Sequence, residues 1–266
     1  MKSRFVVAQM EQNGNPEINL ENARKAVAEA VEYYHADFIV LPECFMSLYP
    51  AGTPHETQLA SAQTLDGPFA TEMKKLAKDN HVWIAFGMNE KVDNPADPRN
   101  HNTTMIIDSE GEVKGVYRKT HLYDAFGYKE SDTICPDPID TPFGKIGLFV
   151  CYEVRFPEVA RDQVLKGADI ILMPTAWASG PLKSHQFKTL ITARAIENTA
   201  YIVAEDQVGV NSMGESIIVD TMGVAVASAG ETPQLICATI DTDRIKQVRA
   251  KLPSFKDRRP YLYLVK

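Results

Sequence analysis

The chain has 266 residues, 44% hydrophobic and 24% charged, and its 28 basic and 35 acidic side chains leave a formal net charge of −7. That balance suits a water-soluble globular protein and disfavours a nucleic acid or an anionic membrane surface as partner. No apolar run approaches the roughly 20 residues of a transmembrane helix. Phe5 to Ala8 is too short for a signal-peptide core, so a cytoplasmic protein is expected.

Four cysteines, Cys44, Cys135, Cys151 and Cys237, show neither C-x-x-C nor Cys/His metal spacing. Reduced thiols are therefore expected, with no metal and no cofactor.

In chain order, Arg4 to Gln9 reads as a strand, and Pro16 opens a helix whose Leu20, Ala23, Val27, Ala30 and Val31 recur at helical spacing. "DFIVLPE" is a buried strand stopped by Pro42, and a helix from Pro68 to Asn80 leads into the strand "HVWIAFGMN". The polar, proline-interrupted stretch from Glu90 to Asn102 reads as a surface loop. "NTTMIIDSEGEVKGVYRK" is a hairpin turning at Ser109 to Gly111. Beyond it come strand Lys145–Cys151, helix Pro157–Lys166, strand Asp169–Met173, helix Leu182–Asn198 and strand Tyr201–Ala204. A second hairpin turns at Asp220 to Gly223.

Hairpins interleaved with βα units predict two mixed sheets, each with helices on one face. Packing the bare faces together gives a four-layer α-β-β-α sandwich. The whole of 1–266 is expected to be one domain. The basic residues of "RAKLPSFKDRRPYLY" are expected to form a solvated or packing tail and not a nucleic-acid contact.

Three strand ends carry reactive residue types. Cys151 ends the apolar run "KIGLFV" just before a helix opening at Pro157, Glu43 ends "DFIVLPE", and Lys119 ends "GVYRK". A thiol with a pKa of about 8.5 is mostly protonated at neutral pH, so a nucleophilic cysteine needs a base or a cation beside it. Singly, the cysteine is an ordinary core residue and the other two are ordinary loop residues. Three such residues, each closing an apolar strand, form a pattern that loops seldom make by chance.

The segments "LPE" (Leu41–Glu43), "YRKTHLYD" (Tyr117–Asp124) and "GLFVCYEVRFPE" (Gly147–Glu158) resemble, in order, those of the nitrilase superfamily of carbon–nitrogen hydrolases. "TAW", "ARAIENTAYIVA", "GESIIVD" and "PSFKDRRPYLY" extend the likeness over nearly the whole chain. The resemblance implies a Glu-Lys-Cys triad on a nitrilase-like fold: Glu43 as general base, Cys151 as nucleophile and Lys119 stabilising the oxyanion with the backbone N–H of Tyr152. It implies Glu130 as a second, substrate-orienting glutamate. The expected reaction is hydrolysis of a small amide through a thioester, releasing a carboxylic acid and ammonia. His121 is expected to hold its loop by hydrogen bonding, since the C-G-S-C-W signature of papain-like enzymes is absent.

Tyr152 stands where nitrile-cleaving members usually have tryptophan, and "CYEVRFPE" is closer to the omega-amidase and deaminated-glutathione-amidase branch. Glu153 departs from the aspartate common there, and Gln186 from a tryptophan. Arg155 is expected either to pair with a substrate carboxylate or to meet a nearby acidic side chain. Met46, Tyr49, Trp177 and Gln186 are candidate pocket residues. The alternatives are a nitrile or N-carbamoyl hydrolase of the same superfamily, or a catalytically silent scaffold. By the same resemblance, residues from about 250 to 266 form a C-terminal arm, and the chain forms a homodimer or a larger homo-oligomer.

Overall fold

A computed structural model describes residues 2–262 except 12, 51, 93, 95, 98, 124–126, 132–134 and 210. Asp124 and the last four residues of the expected arm thus lie outside the described residues.

The first part of the chain forms β1 (Lys2–Gln9), α1 (Pro16–Tyr34), β2 (Phe38–Val40), α2 (His55–Ala60), α3 (Pro68–Asp79), β3 (Trp83–Glu90), β4 (His101–Ile107) and β5 (Val113–Arg118). The second part forms β6 (Ile139–Thr141), β7 (Gly144–Leu148), α4 (Pro157–Leu165), β8 (Ile170–Thr175), α5 (Lys183–Asn198), β9 (Tyr201–Asp206), β10 (Ile217–Val219) and β11 (Ala225–Ser228). It ends with β12 (Gln234–Asp241) and α6 (Thr242–Lys251). Of these, α2, β6 and α6 are short or polar and not legible from periodicity, and β12 (QLICATID) is not among the expected strands.

Local chemistry accounts for the boundaries. Asn15 caps α1, its side chain accepting from the N–H groups of Glu17 and Ile18, and Pro16 follows at the first helical position. Both predicted hairpins turn on an aspartate. Asp108 Oδ1 accepts from the N–H groups of Glu110 and Glu112, and Asp220 Oδ1 from those of Met222 and Val224. Gly111 and Gly223 take the left-handed backbone that these turns need, with φ of 82° and 81°.

The strands assemble into two six-stranded sheets, ordered β12-β1-β2-β3-β4-β5 and β11-β10-β9-β8-β7-β6. Within each, a parallel centre (β1-β2-β3; β7-β8-β9) is flanked by antiparallel strands. Side-chain alternation then sorts the core. Phe5, Val7, Phe38 and Val40 meet Leu148, Ile170, Leu172 and Val203 between the sheets. Val6, Ile39, Ile84 and Phe86 face the opposite way, against α1 and α3, while Ile171, Met173 and Ile202 pack on α4 and α5. The result is the α-β-β-α sandwich expected from the sequence. No helix among the described residues is long and apolar enough to cross a membrane.

Candidate active site

The parallel strands end on one side of the sandwich, where open α/β sheets place their sites. β2 stops at Val40, earlier than expected, and Leu41 to Glu43 continue beside β3: Leu41 N–H donates to Ala85 O and Gly87 N–H to Pro42 O. Gly87 makes this approach possible. A Cβ there would lie 2.7 Å from Pro42 O and 2.8 Å from the carbonyl carbon of Glu43, and would press on Cys44 N. β5 ends at Arg118, and Lys119 follows, its N–H bound to Asn102 O. β7 ends at Leu148, so Cys151 lies beyond the strand and opens a 3-10 turn, Cys151–Arg155. Its φ of 50° is left-handed, a strained backbone for a residue with a Cβ.

Glu43, Lys119 and Cys151, about a hundred residues apart at the extremes, line one cavity of about 280 Å³. Lys119 Nζ donates to Glu43 Oε1 over 2.7 Å, and both residues are about 95% buried. Asn102 Nδ2 donates to the same oxygen at 2.7 Å, and Ala176 N–H to Oε2 at 2.8 Å. Gln207 Nε2 binds the Glu43 carbonyl at 3.1 Å. The carboxylate is thereby fixed in one orientation by donors from both sheets.

The electrostatics follow from burial and charge. Burial pulls the Lys119 ammonium toward neutrality, but the charges of Glu43 and the Cys151 sulfur outweigh it and hold its pKa above the usual lysine range. Burial and Glu43 push the Cys151 thiol up, opposed by Lys119 and by the Ala176 N–H. Burial also pushes the carboxyls of Glu205 and Asp206 on β9 well up, adding to the repulsion from Glu43. Asp206 Oδ1 accepts from Trp177 N–H at 2.7 Å, which anchors the loop that carries Ala176.

Tyr152 is the second residue of the 3-10 turn, whose first internal bond is Glu153 N–H to Val150 O. Its own N–H therefore precedes the hydrogen-bonded part of the turn. Arg155 lines the cavity. Its Nη2 donates to Gln186 Oε1 at 2.9 Å, and its guanidinium sits 4.8 Å from the Trp177 ring centroid. Trp177 is a cavity wall, held by its indole N–H on Lys183 O at 3.1 Å. No carboxylate among the described residues lies within ion-pair distance of Arg155, so of its two expected roles the acidic protein partner is not found.

Two expected site residues lie elsewhere. Glu130 is not a wall of the cavity; its side chain is 57% exposed and lies 3.9 Å from the Arg99 guanidinium. Tyr128, two residues earlier, lines the cavity instead, its hydroxyl donating to Asn89 Oδ1 at 2.7 Å. Tyr49 belongs to a separate surface cleft with Asn13, Pro16 and Leu20, because the chain after Glu43 runs back to the start of α1, where Leu48 N–H donates to Asn13 O. Met46 is core against the helices, and Gln186 acts through Arg155.

Sequence reading missed Asn102, Ala176, Gly87 and Tyr128. Only Asn102 had a visible signal, a polar residue near the start of an apolar strand; in the structure it pairs with Asn89.

Comparison with known proteins decides the family. The Carbon-nitrogen hydrolase family model matches residues 6–250. The chain belongs to the carbon–nitrogen hydrolases. This carbon–nitrogen hydrolase is 36% identical over 251 residues to the deaminated glutathione amidase of Escherichia coli O157:H7, covering 91% of this chain and 92% of that one. It is 35% identical to the human protein of the same name over 274 residues, covering 97% of this chain and 82% of that one. The crystal structure of the Caenorhabditis elegans NitFhit protein superposes with a TM-score of 0.90 at 31% identity, covering 98% of this chain and 66% of that one.

Proposed function

We propose that this carbon–nitrogen hydrolase is an amidase that cleaves a small amide through a thioester on Cys151, with Glu43 as base and Lys119 as the oxyanion's cation. The observation that carries the reading is the buried Lys119–Glu43 pair at 2.7 Å sharing one cavity with the Cys151 thiol.

Glu43 takes the thiol proton as Sγ bonds to the amide carbon, and the carbonyl oxygen becomes an oxyanion facing Lys119 Nζ and the Tyr152 N–H. Preplaced donors of this kind each lower a barrier by about 3–4 kcal/mol. The tetrahedral adduct collapses, the C–N bond breaks, and the proton held by Glu43 passes to nitrogen so that ammonia leaves. Water, deprotonated by the freed Glu43, then attacks the thioester; the acid departs and the thiol is restored. Glu43 suits both steps because Asn102 and Ala176 fix its two oxygens without donating a second formal charge.

The substrate's acyl half carries a carboxylate that Arg155 binds. Support comes from a cavity-facing guanidinium with no acidic protein partner among the described residues, and from the amidase names of relatives spanning most of the chain. Mass spectrometry of the Cys151 peptide after mixing with carboxylate-bearing amides, neutral amides, N-carbamoyl compounds and nitriles tests the whole reading. The expected result is an acyl adduct on Cys151 with ammonia release, greatest for carboxylate-bearing amides. Product formation with Cys151 never acylated sinks the mechanism, and adducts from nitriles alone would move the substrate class. Arg155→Ala should raise KM about tenfold or more for acidic amides only, the scale of one charge-assisted hydrogen bond. An equal loss on neutral amides would give Arg155 a packing role.

A further inference from the structure

Glu153 has no exposed surface, yet it is a carboxylate. Its two oxygens take five hydrogen bonds, and every donor flanks one of two functional residues. Val150 N–H, adjacent to Cys151, donates to Oε2 at 2.7 Å, and the Tyr117 hydroxyl joins it there at 2.9 Å. Thr120 donates twice to Oε1, from its N–H at 2.8 Å and its hydroxyl at 2.6 Å, and His121 N–H completes the set at 3.1 Å. Tyr117, Thr120 and His121 bracket Lys119 in sequence; Val150 and Glu153 itself bracket Cys151.

One carboxylate therefore ties the end of β5, in the first sheet, to the turn that follows β7, in the second. A buried carboxylate without partners would cost several kcal/mol, and full satisfaction by donors is what makes it tolerable. His121 adds a further tie. Its Nδ1 lies 2.9 Å from Thr120 Oγ1 and 3.7 Å from Glu153 Oε1, and its ring stacks on Phe156 with centroids 4.2 Å apart.

We propose that Glu153 is a positioning residue that sets the separation between the Cys151 thiol and the Lys119 ammonium. It hydrogen-bonds to neither; it acts by holding the backbone after Lys119 and before Cys151, with the Tyr117 hydroxyl as a further anchor. The inference rests on the reading of Cys151 as nucleophile. The ionic form suits the role. Burial disfavours the charge, but the His121, Thr120 and Val150 donors and the Lys119 charge outweigh it and hold the Glu153 carboxyl below its usual range. A glutamine in its place would present an N–H₂ to two of the five donors and break the clamp on one side.

The test reads thiol reactivity, which needs no substrate. The rate of Cys151 alkylation by iodoacetamide is followed across pH by peptide-resolved mass spectrometry, in the wild type and in Glu153→Gln and Glu153→Asp. In Glu153→Gln, a displaced Lys119 should raise the pH midpoint by about one unit, the lower end of the effect of an adjacent opposite charge. Hydrolysis of glutaramate should lose roughly 100-fold in kcat with KM changed less than about threefold, the scale of a misplacement of about 1 Å. Glu153→Asp, which keeps the charge with a shorter reach, should recover part of both.

An unchanged midpoint in a folded Glu153→Gln variant overturns the proposal. If that variant does not fold, the Tyr117→Phe and Thr120→Val pair, which removes two side-chain donors, must shift the midpoint in the same direction, and no shift overturns it. Full activity in Cys151→Ala would instead remove the nucleophile assignment itself.

Discussion

Cys44 and Cys151 hold the same left-handed backbone, φ 50° each, and both line the cavity. They differ in what reaches the sulfur. Cys44 is 2% exposed, its Sγ 3.3 Å from the Tyr128 hydroxyl, and its thiol is pushed up to about 12 by burial and by Glu43. Cys151 is half-buried at the mouth of a turn, and after burial and Glu43 the next strongest influence on it is the lowering one of Lys119. For Cys44 the Lys119 charge is a weaker influence than the Tyr128 hydroxyl. The unusual backbone is thus common to both sulfurs; access and the nearby cation are what separate them.

The sharpest way to break this contrast is to delete each sulfur. Cys151→Ala should lose roughly a million-fold in kcat, the scale for removing a covalent nucleophile. Cys44→Ala, measured beside it, should keep activity within a small factor, and the reverse pattern would exchange the two assignments. Glu43→Gln should follow, with kcat down about 100- to 10,000-fold, the range for a general base. Retained turnover there would leave the Cys151 proton with another acceptor.

Gly87→Ala tests the backbone beneath Cys44. The added methyl meets main chain at Pro42, Glu43 and Cys44, which cannot rotate away. Urea unfolding should show a loss of about 1–3 kcal/mol, the usual cost of overpacking, together with reduced turnover as Glu43 shifts. Unchanged stability would mean that the Glu43 turn is softer than its contacts indicate.

The smallest effect lies at His121. The Glu153 carboxylate, 3.7 Å from its Nδ1, raises its pKa against the opposing effect of burial, and the charge of Glu158 adds to the rise. A raised folded value means that the stabilisation is full below the ordinary histidine value of about 6.5 and fades as pH climbs through the higher one. Denaturation midpoints should therefore decline modestly over that interval, and His121→Phe, which keeps a ring against Phe156, should flatten the decline.

Most of both sheets, the layering and the three cavity residues Glu43, Lys119 and Cys151 were legible in the chain because each rests on a local signal: an alternating or apolar strand with a reactive side chain at or just past its end. Asn102, Ala176 and Glu153 were not, since the partners that give them a role are mostly remote in sequence, 59 residues away for Asn102, 32 to 36 for Glu153 across the sheets, and for Ala176 133 residues and only a main-chain N–H. Glu130 and Tyr49 were placed by resemblance or by residue type, neither of which senses the Arg99 beside one or the Gly14 against which the other packs.

The sandwich divides the reactive groups between its halves: the carboxylate and ammonium follow strands of one sheet, the sulfur follows a strand of the other. A chain emerging during synthesis would complete the first sheet's central strands well before residue 151 appears, and the thiol would meet an ordinary aqueous environment until the layers close. The three groups thus come together only when the two sheets pack on each other.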